Sequence, residues 1–200
     1  MKKTAIIALF LISGYTFSQT YTIPAESPRQ TVEQQFSISS VKVDYGRPGV
    51  KGRKIFGDLV PYGKVWRLGA NSCTKITFGQ AVVFGKTTVP PGTYALFAIP
   101  SEKEWKIVLN KDFSQWGAFQ YDEKLNIAEI AVPVQKNPEK QEWFEITVEP
   151  VSSSVVHLIF RWDDVKTILP IEIADTETVA KIADKLKEAK KIEFEARKKP

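Results

Sequence analysis

The chain has 200 residues, 43% hydrophobic, 12% aromatic and 26% charged, with 28 Lys+Arg against 23 Asp+Glu. That apolar fraction excludes a disordered or collagen-like chain, because enough apolar surface exists to offset the entropy lost on ordering, and the length suits one globular domain. One Cys and one His leave no material for an intramolecular disulfide, a thiolate zinc site or a His-pair metal site, and no cofactor is expected.

Taken in chain order, Lys2 and Lys3 precede an apolar run from Ala5 to Phe17, followed by the small residue Ser18. This is the three-part pattern of a secretory signal peptide. The run falls well short of the roughly 20 residues that span a hydrocarbon core. Residues 1–18 are therefore expected to be a leader cleaved near Ser18, leaving a periplasmic or secreted chain with no transmembrane segment.

From Thr31 to Ile173 short β-rich runs are punctuated by Gly, Pro, Asn or charged clusters: 36–38, 41–45, 75–78, 81–84, 94–99, 105–109, 127–132, 144–148, 155–162 and 165–173. Val41/Val43/Tyr45, Trp105/Ile107/Leu109 and Phe144/Ile146/Val148 put apolar groups on one face, as strands wet on the other side require. Val155 to Phe160 is apolar on both faces and reads as a central strand. Pro91-Gly92 predicts a type II turn feeding the 94–99 strand. These runs without a helical period predict an all-β domain over residues 25–174, an antiparallel β-sandwich of jelly-roll-like kind, with a closed barrel as the alternative. Cys73 opens a strand pattern and is expected to be buried and inert. His157, apolar on both sides, is expected in the core rather than as a base.

The segment between Tyr45 and Lys75 differs from the rest. It carries Gly46, Gly49, Gly52, Gly57, Gly63 and Gly69 among Arg47, Lys51, Arg53, Lys54 and Arg67. Such a segment is a long ordered loop, and glycines let backbone N–H groups approach a ligand, so an anion-binding concavity is one reading. The other is that the arginines pair with acids such as Asp44 and Asp58 and hold the loop's shape. Neither the Walker A nor the dinucleotide spacing is present.

At this segment a resemblance becomes specific. Tyr45-x-Arg47-Pro48-Gly49-Val50-Lys51-Gly52-Arg53-Lys54-Ile55-Phe56-Gly57 and Leu59-Val60-Pro61-Tyr62-Gly63-Lys64-Val65-Trp66-Arg67-x-Gly69-Ala70-Asn71 resemble the exported bacterial family known as domain of unknown function 2911. Pro91 to Pro100, Trp105, Leu109 to Asp112, Gln115 to Ala118 and Tyr121-Asp122 extend the resemblance, which runs from about Ser27 to Ile173. It implies an exported domain and carries no activity with it.

A second loop, Asn110 to Glu123, packs four aromatics beside Asn, Asp and Gln. Those are the ingredients of a glycan site, and equally of a plug for the end of a sandwich. Asp112, Asp122, Glu123, Asp163 and Asp164 have oxygens suited to Ca²⁺, without an EF-hand pattern. After Ala174, Asp175 offers an N-cap, and Val179, Ile182, Leu186, Ala189, Ile192 and Ala196 recur at spacings of three and four. An amphipathic helix over 175–200 follows, suited to docking on its own domain or on a partner.

The reading that gathers these signals is a non-catalytic module binding a glycan or anionic ligand. Arg47, Arg53 and Arg67 would supply charge-assisted hydrogen bonds, Asn71 an amide contact, and Tyr62, Trp66 or Trp116 a stacking face. A carboxylate-based hydrolase and a structural or partner-binding module are the alternatives. No nucleic-acid partner is expected. Residues 19–174 hold 18 basic and 17 acidic side chains, and Lys42 to Arg67 alone carries seven basic against two acidic. The basic excess is therefore one loop on an otherwise slightly acidic domain.

Overall fold

The computed structural model describes residues 23–198; the leader expected over 1–18 lies outside them. Among the described residues there are nine strands: β1 (Arg29–Phe36), β2 (Ser39–Gly46), β3 (Thr74–Phe78), β4 (Val82–Phe84), β5 (Thr87–Val89), β6 (Gly92–Pro100), β7 (Glu104–Asn110), β8 (Asn126–Pro150) and β9 (Val155–Ile173). They pair antiparallel in the single order β1-β2-β3-β6-β7-β8-β9-β4-β5. The sheet is open, with β1 and β5 at its edges, so the closed-barrel alternative is not what forms.

The alternations read from the sequence set the core. Val41, Val43 and Tyr45 on β2, Trp105, Ile107 and Leu109 on β7, and Phe144, Ile146 and Val148 on β8 all bury. β6 is buried on both faces from Tyr94 to Ala98, as a strand flanked by β3 and β7 and covered by loops must be. At the centre Phe56, Trp66, Trp105, Phe144 and Trp162 pack ring on ring, with Trp66 stacked on Trp162 at 5.7 Å and 19°.

Four strands differ from expectation, among them the short β5, which forms over Thr87–Val89 where a turn was expected. β1 begins at Arg29, and its sequence carries no apolar period because the inward face of this edge strand is only half-buried and holds Gln30 and Gln34 beside Val32. The expected run 36–38 instead holds the last residue of β1, Phe36, and the two-residue β1–β2 turn, with Ser37 at φ +56°. β8 and β9 are each one long strand where two were expected. The Pro-containing stretch between Val132 and Phe144 does not end β8; its register against β9 shifts between Lys136 and Gln141 and between Gln141 and Glu145, the kind of irregularity that accommodates proline. Gly92 does take a positive φ, +155°, but this is far from the roughly +80° of a type II turn.

β8 positions the site by changing partners. Its residues up to Pro133 pair with β7, and from Val134 onward they pair with β9. Its later half returns beside β2, where the buried Tyr45 Oη accepts the Ile146 N–H at 2.9 Å. Burial and Ile146 act oppositely on that phenol, and burial, the larger effect, raises its pKa.

The C-terminal helix α1 (Thr176–Arg197) forms as its periodicity predicts, with Asp175 Oδ1 accepting the Thr178 N–H at 2.9 Å. None of its residues is buried, and Ile182, Leu186, Ile192 and Phe194 are exposed. Only Val179 packs against the core. A chain ending at Ala174 is therefore expected to unfold within about 1 kcal/mol of the full chain, or about 2–4 °C in midpoint. Thermal denaturation of the two chains checks this, and a larger loss would mean that the helix is docked.

Candidate functional site

The Gly/Arg segment leaves β2 and returns to β3, and two glycines let its ends cross. A Cβ at Gly46 would run into the Ala70 carbonyl, and one at Gly69, at φ +153°, would stand 2.8 Å from the Gly46 oxygen. Just before the crossing, Trp66 is pinned on β6: its N–H donates to Ala98 O at 2.7 Å and its carbonyl accepts from Ala98 N at 2.9 Å. Leu68 and Asn71 then take left-handed backbone, φ +52° and +63°. Non-glycine residues adopt that region at a cost of about 1–3 kcal/mol.

This path encloses a cavity of about 230 Å³ lined by Lys51, Arg53, Arg67, Asn71 and Glu26, with Trp66 and Trp162 among its apolar lining. Its cationic groups are not equivalent. Arg53 holds the loop, donating from Nε to Val50 O at 3.1 Å and from Nη2 to Gly49 O at 2.6 Å. Lys51 Nζ stands 3.8 Å from Glu26 Oε2, and its amide donates to Glu142 Oε1 at 2.9 Å.

Arg67 is different: it is half-buried, and among the described residues it forms no ion pair and its buried Nε has no hydrogen-bond partner. Burial lowers its pKa, although a guanidinium remains protonated throughout the ordinary pH range. Trp162, 1% exposed, lines the same cavity, and its Nε1–H also meets no acceptor. Two residues of the lining thus each hold a buried donor without an acceptor, and each unsatisfied donor costs about 1–3 kcal/mol.

Of the residues predicted to bind ligand, Arg53, Trp66, Arg67 and Asn71 line this cavity, and Arg47, Tyr62 and Trp116 do not. Arg47 Nε donates to Phe144 O at 3.1 Å and ties β8 to the loop. Tyr62 lies over a separate shallow groove with Ser101 to Glu104. Trp66, 6% exposed, is a core ring, with Nε1 donating to Gly69 O at 3.1 Å, and offers no open stacking face. The acids suggested as pairing partners for the loop do not take that role: Asp44 pairs with Arg29 on β1. Lys51, one of the basic residues read as an anion-binding concavity, does line it, whereas Lys54 does not, and Glu26 and Trp162 were not foreseen as lining residues. Trp162 comes from β9 and carries no local signal.

The aromatic loop divides its side chains. Ala118 and Tyr121 pack on a second small core of Cys73, Ala95, Phe97 and Val108, with Tyr121 edge-on to Phe97 at 5.1 Å. Asn110, fully buried, organises the loop through Asp122 O at 2.9 Å and Asn126 Oδ1 at 2.8 Å. Phe113, Trp116 and Phe119 remain exposed. Cys73 is buried and burial raises its thiol pKa, as an inert cysteine requires. His157 is only half-buried, on β9 opposite Glu149, and is not the core residue expected. Among the described residues no three His, Cys, Asp or Glu side chains assemble as a metal-ligand set, and no helix is long and apolar enough to cross a membrane.

A family model described as protein of unknown function (DUF2911) matches residues 27–171, a span that includes the cavity's loop, the aromatic loop and Trp162. The chain belongs to this family. Comparison with curated proteins and with solved structures gives no match. The family boundary at residue 171 leaves α1 outside the matched span.

Proposed function

We infer that the chain is an exported, non-catalytic β-sandwich module that binds a small anionic group in the cavity beside Arg67. The carrying observation is the half-buried Arg67 guanidinium, which has no ion-pair partner among the described residues and whose buried Nε meets no acceptor; an incoming anion would supply the missing counter-charge. The unpartnered Nε1–H of Trp162 supports the same reading, because it too lacks an acceptor. Three cations against one carboxylate on the lining favour an anion. A volume near 230 Å³ is below the roughly 300–1,000 Å³ of drug-sized sites, so the bound group is of the size of a carboxylate, phosphate or sulfate. Glu26 is the single carboxylate of the lining, and a paired-carboxylate hydrolase finds no second one there.

Export rests on the leader pattern of residues 1–18. The sandwich description rests on the partner change in β8 and on the Tyr45 to Ile146 link between distant strands of the order. A partner-binding role for α1 has one observation in its favour, the exposure of Ile182, Leu186, Ile192 and Phe194. The test of the main reading is a thermal-shift screen of the chain from Gln19 onward against phosphate, sulfate, galacturonate, glucose and Ca²⁺. Anions are expected to raise the midpoint in proportion to the logarithm of their concentration, and glucose to leave it unchanged. No shift from any anion would remove the anion-site reading.

A further inference from the structure

We propose that the physiological ligand is an acidic saccharide chain, with one carboxylate-type group in the Arg67 cavity and a neighbouring sugar face on Trp116. This rests on the cavity reading above and extends it to the aromatic loop. The two are joined by backbone. Asn71, a lining residue, accepts the Gly117 N–H at 3.0 Å, and Cys73 N–H donates to Gln115 O at 3.0 Å, which sets Ser72 opposite Trp116 in an antiparallel bridge. Residues so opposed have Cβ atoms about 5 Å apart on one face, and Ser72 is one Cα step, about 3.8 Å, from Asn71. The backbone that carries Trp116 is therefore held by two hydrogen bonds against the segment that continues from the cavity wall at Asn71.

Covering the sheet does not explain Trp116. Ala118 and Tyr121 cover the second core, and Gln115 and Gly117 bury with the loop backbone. Trp116 nevertheless remains 63% exposed and Phe119 88% exposed. An indole on a rigid backbone, buried only on binding, is a low-entropy-cost contact face, since aromatic rings carry 150–250 Å² each, as a rough figure. Sugar rings present C–H faces to such a surface and hydroxyls to the surrounding polar groups; the exposed Ser114 and Gln120 lie two and four residues from Trp116. A uronic acid adds the carboxylate that the cavity's cations select. A polyphosphate brings the charge but no C–H face for the Trp116 indole.

The test is calorimetric titration of the chain from Gln19 onward, as wild type, Arg67→Met and Trp116→Ala, with galacturonate, trigalacturonate, cellotriose and AMP. Trigalacturonate is expected to bind at least about tenfold tighter than galacturonate, a difference of about 1.4 kcal/mol. Trp116→Ala should remove that gain while leaving galacturonate binding unchanged, and Arg67→Met should abolish both. If the trimer binds no tighter than the monomer, or Trp116→Ala has no effect, the extended ligand is wrong and the anion cavity stands. If neither acid binds, the cavity reading falls and takes this proposal with it. Cellotriose binding as tightly as trigalacturonate, or AMP binding tighter, would overturn the acidic-saccharide assignment.

Discussion

Replacing Trp66 by alanine is expected to destabilise the fold by about 3–5 kcal/mol, the range for truncating a buried large aromatic. Its ring is stacked on Trp162 and edge-on to Phe144 at 5.1 Å, to Trp105 at 5.7 Å and to Phe56 at 6.1 Å, so one deletion removes a contact from four rings. Each such aromatic pair contributes about 0.5–1.5 kcal/mol beyond the area it buries. The indole also donates to Gly69 O, and losing that bond frees the crossing at Gly46 that shapes the cavity. Trp66→Phe keeps a ring but not the donor, and should cost about 1–2 kcal/mol. Urea unfolding of both variants checks the ranking. A loss under about 1 kcal/mol for the alanine variant would show that the cluster repacks around the space and that Trp66 is not its hub.

How much of this was legible in sequence depends on whether the signal is local. Period-two alternation at Val41 to Tyr45 and Trp105 to Leu109 gave the buried faces, and Asp175 gave the start of α1, because these patterns lie within a few residues. The edge position of β1 was invisible, since polar residues on both faces look like loop. The continuity of β8 through Pro133 and Pro138 was invisible too, because prolines signal a break unless bulges absorb them. At the site, Arg53, Trp66, Arg67 and Asn71 were found together because one loop carries them. Arg47 belongs to the same run of residue types, yet its fate is decided by where Phe144 arrives on β8, and Trp162 enters only through the path of β9. Residue type marked the loop; the strand order chose which of its arginines stays unpaired. The left-handed Leu68 and Asn71 that follow that arginine are among the places where the fold carries backbone strain.

Arg67→Met is expected to separate ligand binding from folding. Methionine keeps an unbranched chain and removes the charge, and the guanidinium's buried Nε has no partner to lose. Stability without ligand should therefore be unchanged or higher by about 1 kcal/mol, since replacing buried charge with apolar side chains is often neutral or stabilising. Binding should weaken by about 10–100-fold, corresponding to about 1.5–3 kcal/mol for a hydrogen bond to a charged group. Arg53→Met behaves in the opposite sense. Its guanidinium holds the Gly49 and Val50 carbonyls, and losing it should cost about 1–3 kcal/mol of stability. Paired urea and calorimetric titrations of the two variants measure both quantities. A drop of more than about 1 kcal/mol in Arg67→Met would assign its guanidinium to the scaffold. Because burial lowers the Arg67 pKa but a guanidinium keeps its proton at ordinary pH, affinity for a carboxylate is expected to be flat between about pH 6 and 9 and to fall only as the ligand itself protonates near pH 4.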